Sequence, residues 1–555
     1  MKFLFHTFIL LCISFGINAQ SIVNTKHNLS VTGPGSVKAT GETEICLFCH
    51  TAHNSKPQSP LWNRNDPGST YSPYTSSTMK ALPGQPSGSS ILCLSCHDGT
   101  VALGSVLSRS STISFANTSN MPAGPSNLST DLRNDHPVSF TYDAALVAAN
   151  GHLNNPATLG SQITLENNKL QCTSCHDPHK NLYTDFLVAS SQYSNICIAC
   201  HAQPSWSTSS HKTSTKTWNH NAPNPWPFTP WTTVAENACE SCHNPHNSGG
   251  LKRLLKYPAE EDNCLDCHNG NVATKNIQAE FAKAYKHNVY GYTGTHDPTE
   301  ASAVSTRHVE CVDCHSAHEA NATTASAPAV RGPNKGVKGI NQSGVAVNPV
   351  TNEYEICYRC HSDNPVTGPT TPRRIIQNNV RLEFALNNPS FHPIAGPGVN
   401  ASVPSLISPL SRTSIIYCTD CHASNGAGSP AGPHGSIYPQ ILKSQYILTD
   451  NTTYNVSNFQ LCYNCHSSTS IMNDISFKEH SKHISGERAS CSTCHDSHGI
   501  SSLQGTAANN SNLINFNTNY VTPSSSGILR FEDLGTNKGR CYLRCHGENH
   551  NPLSY

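Results

Sequence analysis

Long apolar runs are what this 555-residue chain most lacks. Past residue 16 nothing approaches the about eighteen apolar residues of a membrane-spanning helix, which excludes a helical anchor in that stretch. Apolar residues of every kind are few: they make up 36% of the chain, beside 36 prolines and 35 glycines, which is poor material for an ordinary core at this length. Excess charge is missing too, with 35 Lys and Arg balancing 35 Asp and Glu, so no basic surface offers itself to nucleic acid. Methionine is nearly absent, since only Met79, Met121 and Met472 follow Met1. No motif demands a general acid, a nucleophile or a substrate pocket.

Cysteine and histidine are what the chain has instead, 25 and 31 of them. The pattern C-x-x-C-H occurs at Cys46, Cys49 and His50, at Cys93, Cys96 and His97, at Cys172, Cys175 and His176, and at Cys197, Cys200 and His201. It continues at Cys239, Cys242 and His243, at Cys264, Cys267 and His268, at Cys311, Cys314 and His315, and at Cys357, Cys360 and His361. Cys418, Cys421 and His422, then Cys462, Cys465 and His466, then Cys491, Cys494 and His495 complete eleven. A twelfth is one residue longer, Cys541, Cys545 and His546. Chance would supply roughly 0.1 copies at this composition. Two thiols so spaced can add across the two vinyl groups of one haem, and the adjacent histidine then binds the iron. Twelve covalent haems c, each with its iron, are the expectation. Zinc, the other taker of C-x-x-C pairs, does not need histidine in the same adjacent place twelve times, and exported chains rarely carry so many reduced thiols.

The remaining cysteine, Cys12, lies in a segment that reads as a signal peptide over 1–19: Met1 and Lys2, an apolar run from Phe3 to Gly16, then Ile17, Asn18 and Ala19 with the cut before Gln20. The run is short for a bilayer and is broken by His6. Cys12 follows Leu10 and Leu11 rather than a small residue, so lipidation is not expected. No thiol is left for a structural disulfide. The mature chain is expected beyond the inner membrane, where haem is attached to such motifs. Twelve oxidised haems with ionised propionates would add about minus twelve charges and make the loaded protein acidic.

A deeper repeat pairs the motifs. The odd-numbered ones carry a second histidine three residues on, at His53, His179, His246, His318 and His498, and the even-numbered ones do not. The ninth motif departs, and His434, on a longer Gly/Pro loop, reads as its equivalent. Periodicity of this kind means repeated units. We divide the mature chain into six haem pairs at 20–131, 132–215, 216–283, 284–385, 386–473 and 474–555. Each pair is preceded by a loop histidine: His27, His136, His220, His392, His480 or His483, and in the fourth unit His287 or His308, with His296 nearby. Between His136, His220, His308, His392 and His480 the steps are 84, 88, 84 and 88 residues, which speaks for His308 and His480, while the surroundings of His287 resemble His-Pro-Val more closely. Both alternatives stay open.

Ligand counting then bears on the iron. Twelve histidines are proximal and His6 is in the leader, which leaves eighteen; six downstream and one upstream per pair supply twelve distal ligands. Every iron can be bis-histidine, and Met-ligated, high-potential haems cannot be the rule. A histidine three residues past a proximal one is too close to reach the far face of its own iron, so it should serve a neighbouring haem. His152, His211, His296 and His550 remain outside this set as loop residues.

The alternation of C-x-x-C-H-x-x-H with C-x-x-C-H resembles the doubled-CXXCH multihaem cytochrome family. Ile45 to His53, Asn134 to Phe140 and Arg307 to His318 carry the likeness. The resemblance implies a mostly irregular chain with short α-helices around haem-binding motifs and little β, a multihaem cytochrome c fold organised by haem packing. It implies an electron carrier, not an enzyme, that is periplasmic, outer-membrane-associated or extracellular. The partners in view are redox proteins, other cytochromes, an extracellular or mineral acceptor, an outer-membrane porin, or further copies of the chain. Two alternatives stand beside it: a multihaem nitrite- or hydroxylamine-type oxidoreductase with one open haem, for which the Cys541 motif with His546 proximal is the first place to look, and a filament subunit in which His27 and His550 ligate haems of neighbouring copies.

Residues 277–285 space apolar side chains at helical intervals. Residues 108–130, 320–350 and 501–527 read as surface loops, rich in Ser, Asn, Gly or Pro. Trp218, Trp226, Phe228 and Trp231, set among prolines, read as packing residues against a porphyrin face.

Overall fold

The computed structural model describes residues 22–56, 61–292, 296, 297, 299–301, 308–363 and 371–555. The leader, Cys12 and the cut before Gln20 lie outside the described residues. Two compact units divide the chain, one of Met1–Ala202 with His243–Leu254, the other of Gln203–Cys242 with Leu255–Tyr555. This division is coarser than six haem pairs. Among the described residues no helix is long and apolar enough to cross a membrane.

Regular structure is short and gathers at the motifs. Helix α1 is Gly88–His97, α2 is Glu260–His268 and α3 is Tyr354–His361, and each ends on the histidine of an even-numbered motif. Helical periodicity puts the two cysteines, three apart, and the histidine that follows on one face. Carboxylates favour the starts of these helices through the helix dipole. Glu166 accepts the Ser89 N–H at 2.9 Å in α1, and α2 opens with Glu260, Glu261 and Asp262. Gly99 (φ +72°) and Gly270 (φ +88°) follow α1 and α2 in the left-handed conformation that ends a helix and that glycine adopts without penalty.

Odd-numbered motifs are single turns. Cys46–Phe48, Cys172–Ser174 and Cys418–Asp420 are 3-10 turns, and Cys311–Cys314 and Cys491–Cys494 are one-turn α-helices. In each, the histidine N–H reaches the carbonyl of the first cysteine, at 2.8 Å for His50, 3.0 Å for His176 and His315, and 2.9 Å for His422 and His495. His315 and His495 are already extended, so the chain leaves the turn and carries the next histidine away from its own motif. The twelfth motif departs from both patterns. It lies in a sheet of β1 (Arg530–Asp533), β2 (Gly539–Cys545) and β3 (Glu548–Ser554), antiparallel in that order.

Apolar packing is divided among small clusters. In the first unit Ala81, Phe140, Tyr142 and Leu170 form one, and Tyr71, Leu94 and Leu132 another. In the second, the larger clusters are Ile340, Tyr354, Tyr358, Phe384, Phe391 and Ile394, and Ile514, Phe516, Val521, Phe531 and Leu543. Ile514, Phe516 and Val521 correct the reading of 501–527 as surface loop, as Val337 and Val350 do for 320–350: in a chain so poor in apolar residues, isolated ones in polar stretches are drawn inside. The helix expected over 277–285 stops at Glu280, where the buried carboxylate meets Lys283 Nζ at 2.6 Å; Tyr285 and Lys286 pair instead with Ser436 and Gly435. Trp226 is buried and donates Nε1–H to Ser241 Oγ at 3.1 Å, whereas Phe228 is 95% exposed.

Candidate haem sites

The described cysteines are all free, Cys46 exposed and the others half-buried. Free cysteine is ordinarily among the most buried residues. Here most are half-buried instead, a placement that tethers to an apolar macrocycle would suit.

Histidines face one another in pairs of nearly constant separation. Ring centroids are 6.0 Å apart for His50 and His179, 6.1 Å for His176 and His246, 6.2 Å for His27 and His97, and 6.2 Å for His136 and His201. In the second unit they are 6.2 Å apart for His211 and His268, 6.3 Å for His287 and His361, 6.1 Å for His315 and His434, and 6.1 Å for His422 and His498. His392 and His466, and His480 and His495, stand at 6.4 Å. Each of these ten pairs joins one motif histidine to one from elsewhere. Metal–imidazole bonds of about 2 Å through Nε2 on opposite sides of one ion place ring centres about 6 Å apart. Contacting aromatic rings can also stand at such distances, but ten pairs this uniform, each with one motif member, fit a common spacer.

In several of these rings the other nitrogen is spoken for. Nδ1 faces a backbone carbonyl in His97 (Ser126, 2.7 Å), His176 (Asp185, 2.7 Å), His315 (Pro333, 2.9 Å) and His422 (Gln440, 2.8 Å), and likewise in the upstream His211 (Ala317, 2.9 Å). That contact turns Nε2 toward the partner ring. A ligating imidazole must also be neutral. Burial pushes His136, His268, His422, His434, His466, His480 and His495 down to about 4, so these rings are uncharged at neutral pH.

Motifs adjoin in a regular alternation. The first cysteines adjoin across pairs, Cys93 beside Cys172, Cys264 beside Cys311, Cys357 beside Cys418 and Cys462 beside Cys491. The second cysteines act on one another within pairs, Cys49 with Cys96, Cys175 with Cys200, Cys242 with Cys267, Cys314 with Cys360 and Cys421 with Cys465. Within each unit, consecutive motifs are therefore neighbours in space.

Several sequence expectations need correction. His220 packs against Trp218 with ring centres 4.0 Å apart and planes tilted by 47°, and His211, on the short helix Ser210–Thr213, takes the place opposite His268. His308 stacks on Tyr292 and sits among Glu300, Glu310 and His296, so His287 is the histidine opposite His361. The regular steps linked residues with different jobs. His53 is exposed and belongs to none of these pairs, because a histidine three past an odd motif reaches the preceding odd motif and none precedes the first. His318 meets the Trp206 ring edge-on at 6.1 Å and His243 Nδ1 faces the Arg253 carbonyl at 2.8 Å, contacts that leave the distal role expected of His318 as it stood. His480 and His483 both face histidines, so the choice between them falls away. His27 and His550 face His97 and His483 of their own chain. No residue context marks His211; only the leftover count could have flagged it.

Residues 231–382 match the family described as outer membrane cytochrome MtrC/MtrF-like, domains II/IV, and residues 166–205 match the doubled CXXCH motif. No curated protein matches the chain. Paired histidines, half-buried thiols and these two matches together define a c-type cytochrome with several haems. The doubled CXXCH motif itself is matched over 166–205, and the CXXCH motifs indicate covalently bound haem c.

Two checks of the pairing follow. Removing a true distal ring opens its iron, so His211→Gly and His287→Gly should each convert one low-spin haem to a high-spin form that added imidazole restores, whereas His220→Gly and His308→Gly should leave the electron paramagnetic resonance spectrum unchanged. The second concerns His246 and His498, whose Nδ1 atoms face carboxylates, Asp135 at 3.0 Å and Glu383 at 2.9 Å. A carboxylate partner makes an imidazole a stronger donor and so favours the oxidised iron. Asp135→Asn and Glu383→Gln should each raise one haem potential by on the order of 59 mV, a tenfold change in a one-electron equilibrium, read by redox titration.

Proposed function

We propose that the chain holds twelve haems c, bis-histidine wherever a ring pair stands, and conducts electrons along neighbouring motifs beyond the inner membrane. The single observation that carries this reading is the set of ten histidine pairs at 6.0–6.4 Å, each with one motif histidine. The chemistry the haem supplies when bound is one-electron exchange at iron. The polypeptide's part is to hold. The paired imidazoles would hold the iron and leave it no place for a substrate, and a histidine pair would keep its potential low. Alternating contacts between first and second cysteines keep successive sites close. Donor and acceptor are then other redox proteins or an acceptor outside the cell, and the likeness of residues 231–382 to outer membrane cytochromes supports a place at or beyond the outer membrane.

The test is a haem count by intact mass joined to electron paramagnetic resonance of the oxidised protein. The expected result is low-spin iron of two kinds, because ring planes are near-parallel for His315 with His434 (4°) and His50 with His179 (16°) but steep for His136 with His201 (80°) and His27 with His97 (66°). A large high-spin signal that responds to nitrite or hydroxylamine would instead establish an enzyme. Cell fractionation decides the compartment.

A further inference from the structure

Two histidines with nearly buried side chains, His296 (8% exposed) and His308 (10%), belong to none of the ten ring pairs that span a haem position. Both face Glu310, the residue before Cys311. His296 Nδ1 lies 2.9 Å from Glu310 Oε2 and 3.7 Å from Asp313 Oδ1, and His308 Nε2 lies 3.5 Å from the same Glu310 oxygen. One nitrogen from each ring and one oxygen from each carboxylate all fall within 4.8 Å of one another. The shortest of these separations is that of a hydrogen bond, whereas 3.5 and 3.7 Å are too long for one. Four ligands set tetrahedrally at about 2.0–2.2 Å from one ion stand about 3.3–3.6 Å apart, and the observed separations bracket that edge.

Three attachment motifs build the cluster. In the seventh, Glu310 precedes the turn Cys311–Cys314 and Asp313 lies between its cysteines; the Glu310 N–H donates to Asp313 Oδ2 at 2.8 Å, which leaves Oδ1 facing His296. In the sixth, Glu260 at the start of α2 accepts the His296 N–H at 3.3 Å and the Val312 N–H at 3.2 Å. One buried carboxylate thus ties His296 to the seventh motif's turn. In the eighth, Arg359 on α3 donates to Asp313 Oδ1 at 2.5 Å and to Glu300 Oε2 at 3.0 Å. Outer hydrogen bonds of this kind orient ligating carboxylates. Charge points the same way. The side chains of Glu310 and Asp313 are only 3% and 12% exposed, and buried carboxylates need positive charge beside them. Arg359 is shared between Asp313 and Glu300, whereas Glu310 faces two imidazoles that are uncharged in their ligating form. A divalent ion among the four groups balances both ligating carboxylates.

We propose that His296, His308, Glu310 and Asp313 bind one zinc ion in addition to the haem iron. Two imidazole nitrogens with two carboxylate oxygens suit zinc, whereas calcium and magnesium take oxygen ligands. Four protein ligands close a tetrahedron, so the ion is structural and joins the polypeptide of the seventh motif to the segment before it. Its charge also lies beside two haem attachments, because Asp313 is inside the seventh motif and Arg359 inside the eighth. A fixed positive charge there favours the reduced iron. The zinc site does not depend on the multihaem reading, but its effect on haem potentials does.

The experiment uses the haem-loaded full chain, in which cysteines tied as thioethers take no zinc. After addition of zinc chloride and dialysis, metal analysis with haem iron counted separately should find one zinc per chain, removed by a chelator that leaves the haems in place. His296→Ala, His308→Ala and Glu310→Gln should each weaken zinc binding at least tenfold by isothermal titration, while His53→Ala and His220→Ala, both exposed, should not. In the unaltered protein, withdrawal of zinc should shift the reduction equilibrium of at least one haem about tenfold toward the oxidised form, about 59 mV for one electron, and zinc added back should restore it. That arm needs no variant to fold. Zinc bound equally by all five variants would mean a surface site, and no zinc bound by the unaltered protein would leave the cluster as ion pairs around Arg359 and a protonated His296; either result overturns the assignment. Zinc bound with every potential unmoved would overturn the electrostatic effect. Failure of the multihaem reading would appear separately, as a protein with the mass of the bare exported chain.

Discussion

Produced without haem attachment, the chain should give the circular dichroism of a largely disordered polypeptide and no cooperative thermal transition, while the haem-loaded protein should unfold at high temperature in a sharp one. The difference is the largest that any single manipulation of this molecule should produce. Ordering a residue costs about 1–2 kcal/mol of backbone entropy, and a fully buried aliphatic or aromatic side chain returns about 1.5–3 kcal/mol. The separate clusters, of which the largest has six buried residues, cannot offset that cost over more than five hundred residues. On the proposed ligation the shortfall would be made up at the motifs, where each attachment would tie two thiols and paired imidazoles to one rigid apolar disc, so that metal binding energy becomes folding energy. A cooperative transition in the unloaded chain would show that polypeptide packing suffices and would contradict this account.

Replacing Cys357 and Cys360 by serine should remove one haem mass and reduce conduction through the second unit to background. The eighth motif is the link with a neighbour on each side: Cys357 adjoins Cys418 of the ninth motif, while Cys360 lies near Cys314 of the seventh. Without it the sixth and seventh sites are cut off from the ninth and later ones, since electron transfer falls steeply with distance. Replacement of Cys541 and Cys545 should remove the same mass yet leave the seventh-to-ninth link conducting. Single-molecule conductance, with electrode attachments on either side of the eighth motif, separates the two variants. Equal conductance in both would mean that current does not follow the order of the motifs.

What could be read from residues alone was the attachment chemistry, because two thiols and a histidine at fixed spacing are dictated by one cofactor. Much of the pairing was legible too. His179, His246, His434 and His498 stand opposite histidines of the preceding odd motif, as the argument about reach required. The upstream partners were harder, since a loop histidine has no local signature and its partner lies about sixty to seventy residues further on. Equal steps through His220 and His308 therefore misled, while His211 had no context to recommend it. The twelfth motif was opaque for another reason. Its extra residue was visible, but no neighbouring residue announces the extended backbone it lies on, or the cross-strand register that brings His550 opposite Leu543.

The direction in which ligands are borrowed also bears on how such a chain is assembled as it emerges from a membrane, amino end first. His27, His136, His211, His287 and His392 all precede the even-numbered motifs they face, so those sites can close as soon as they appear. The first, third, seventh and ninth motifs look forward: His50 waits for His179, and His422 for His498. On the proposed ligation each of these four sites trails behind the growing end with an unfinished, reactive iron until a later stretch of chain is exported to complete it.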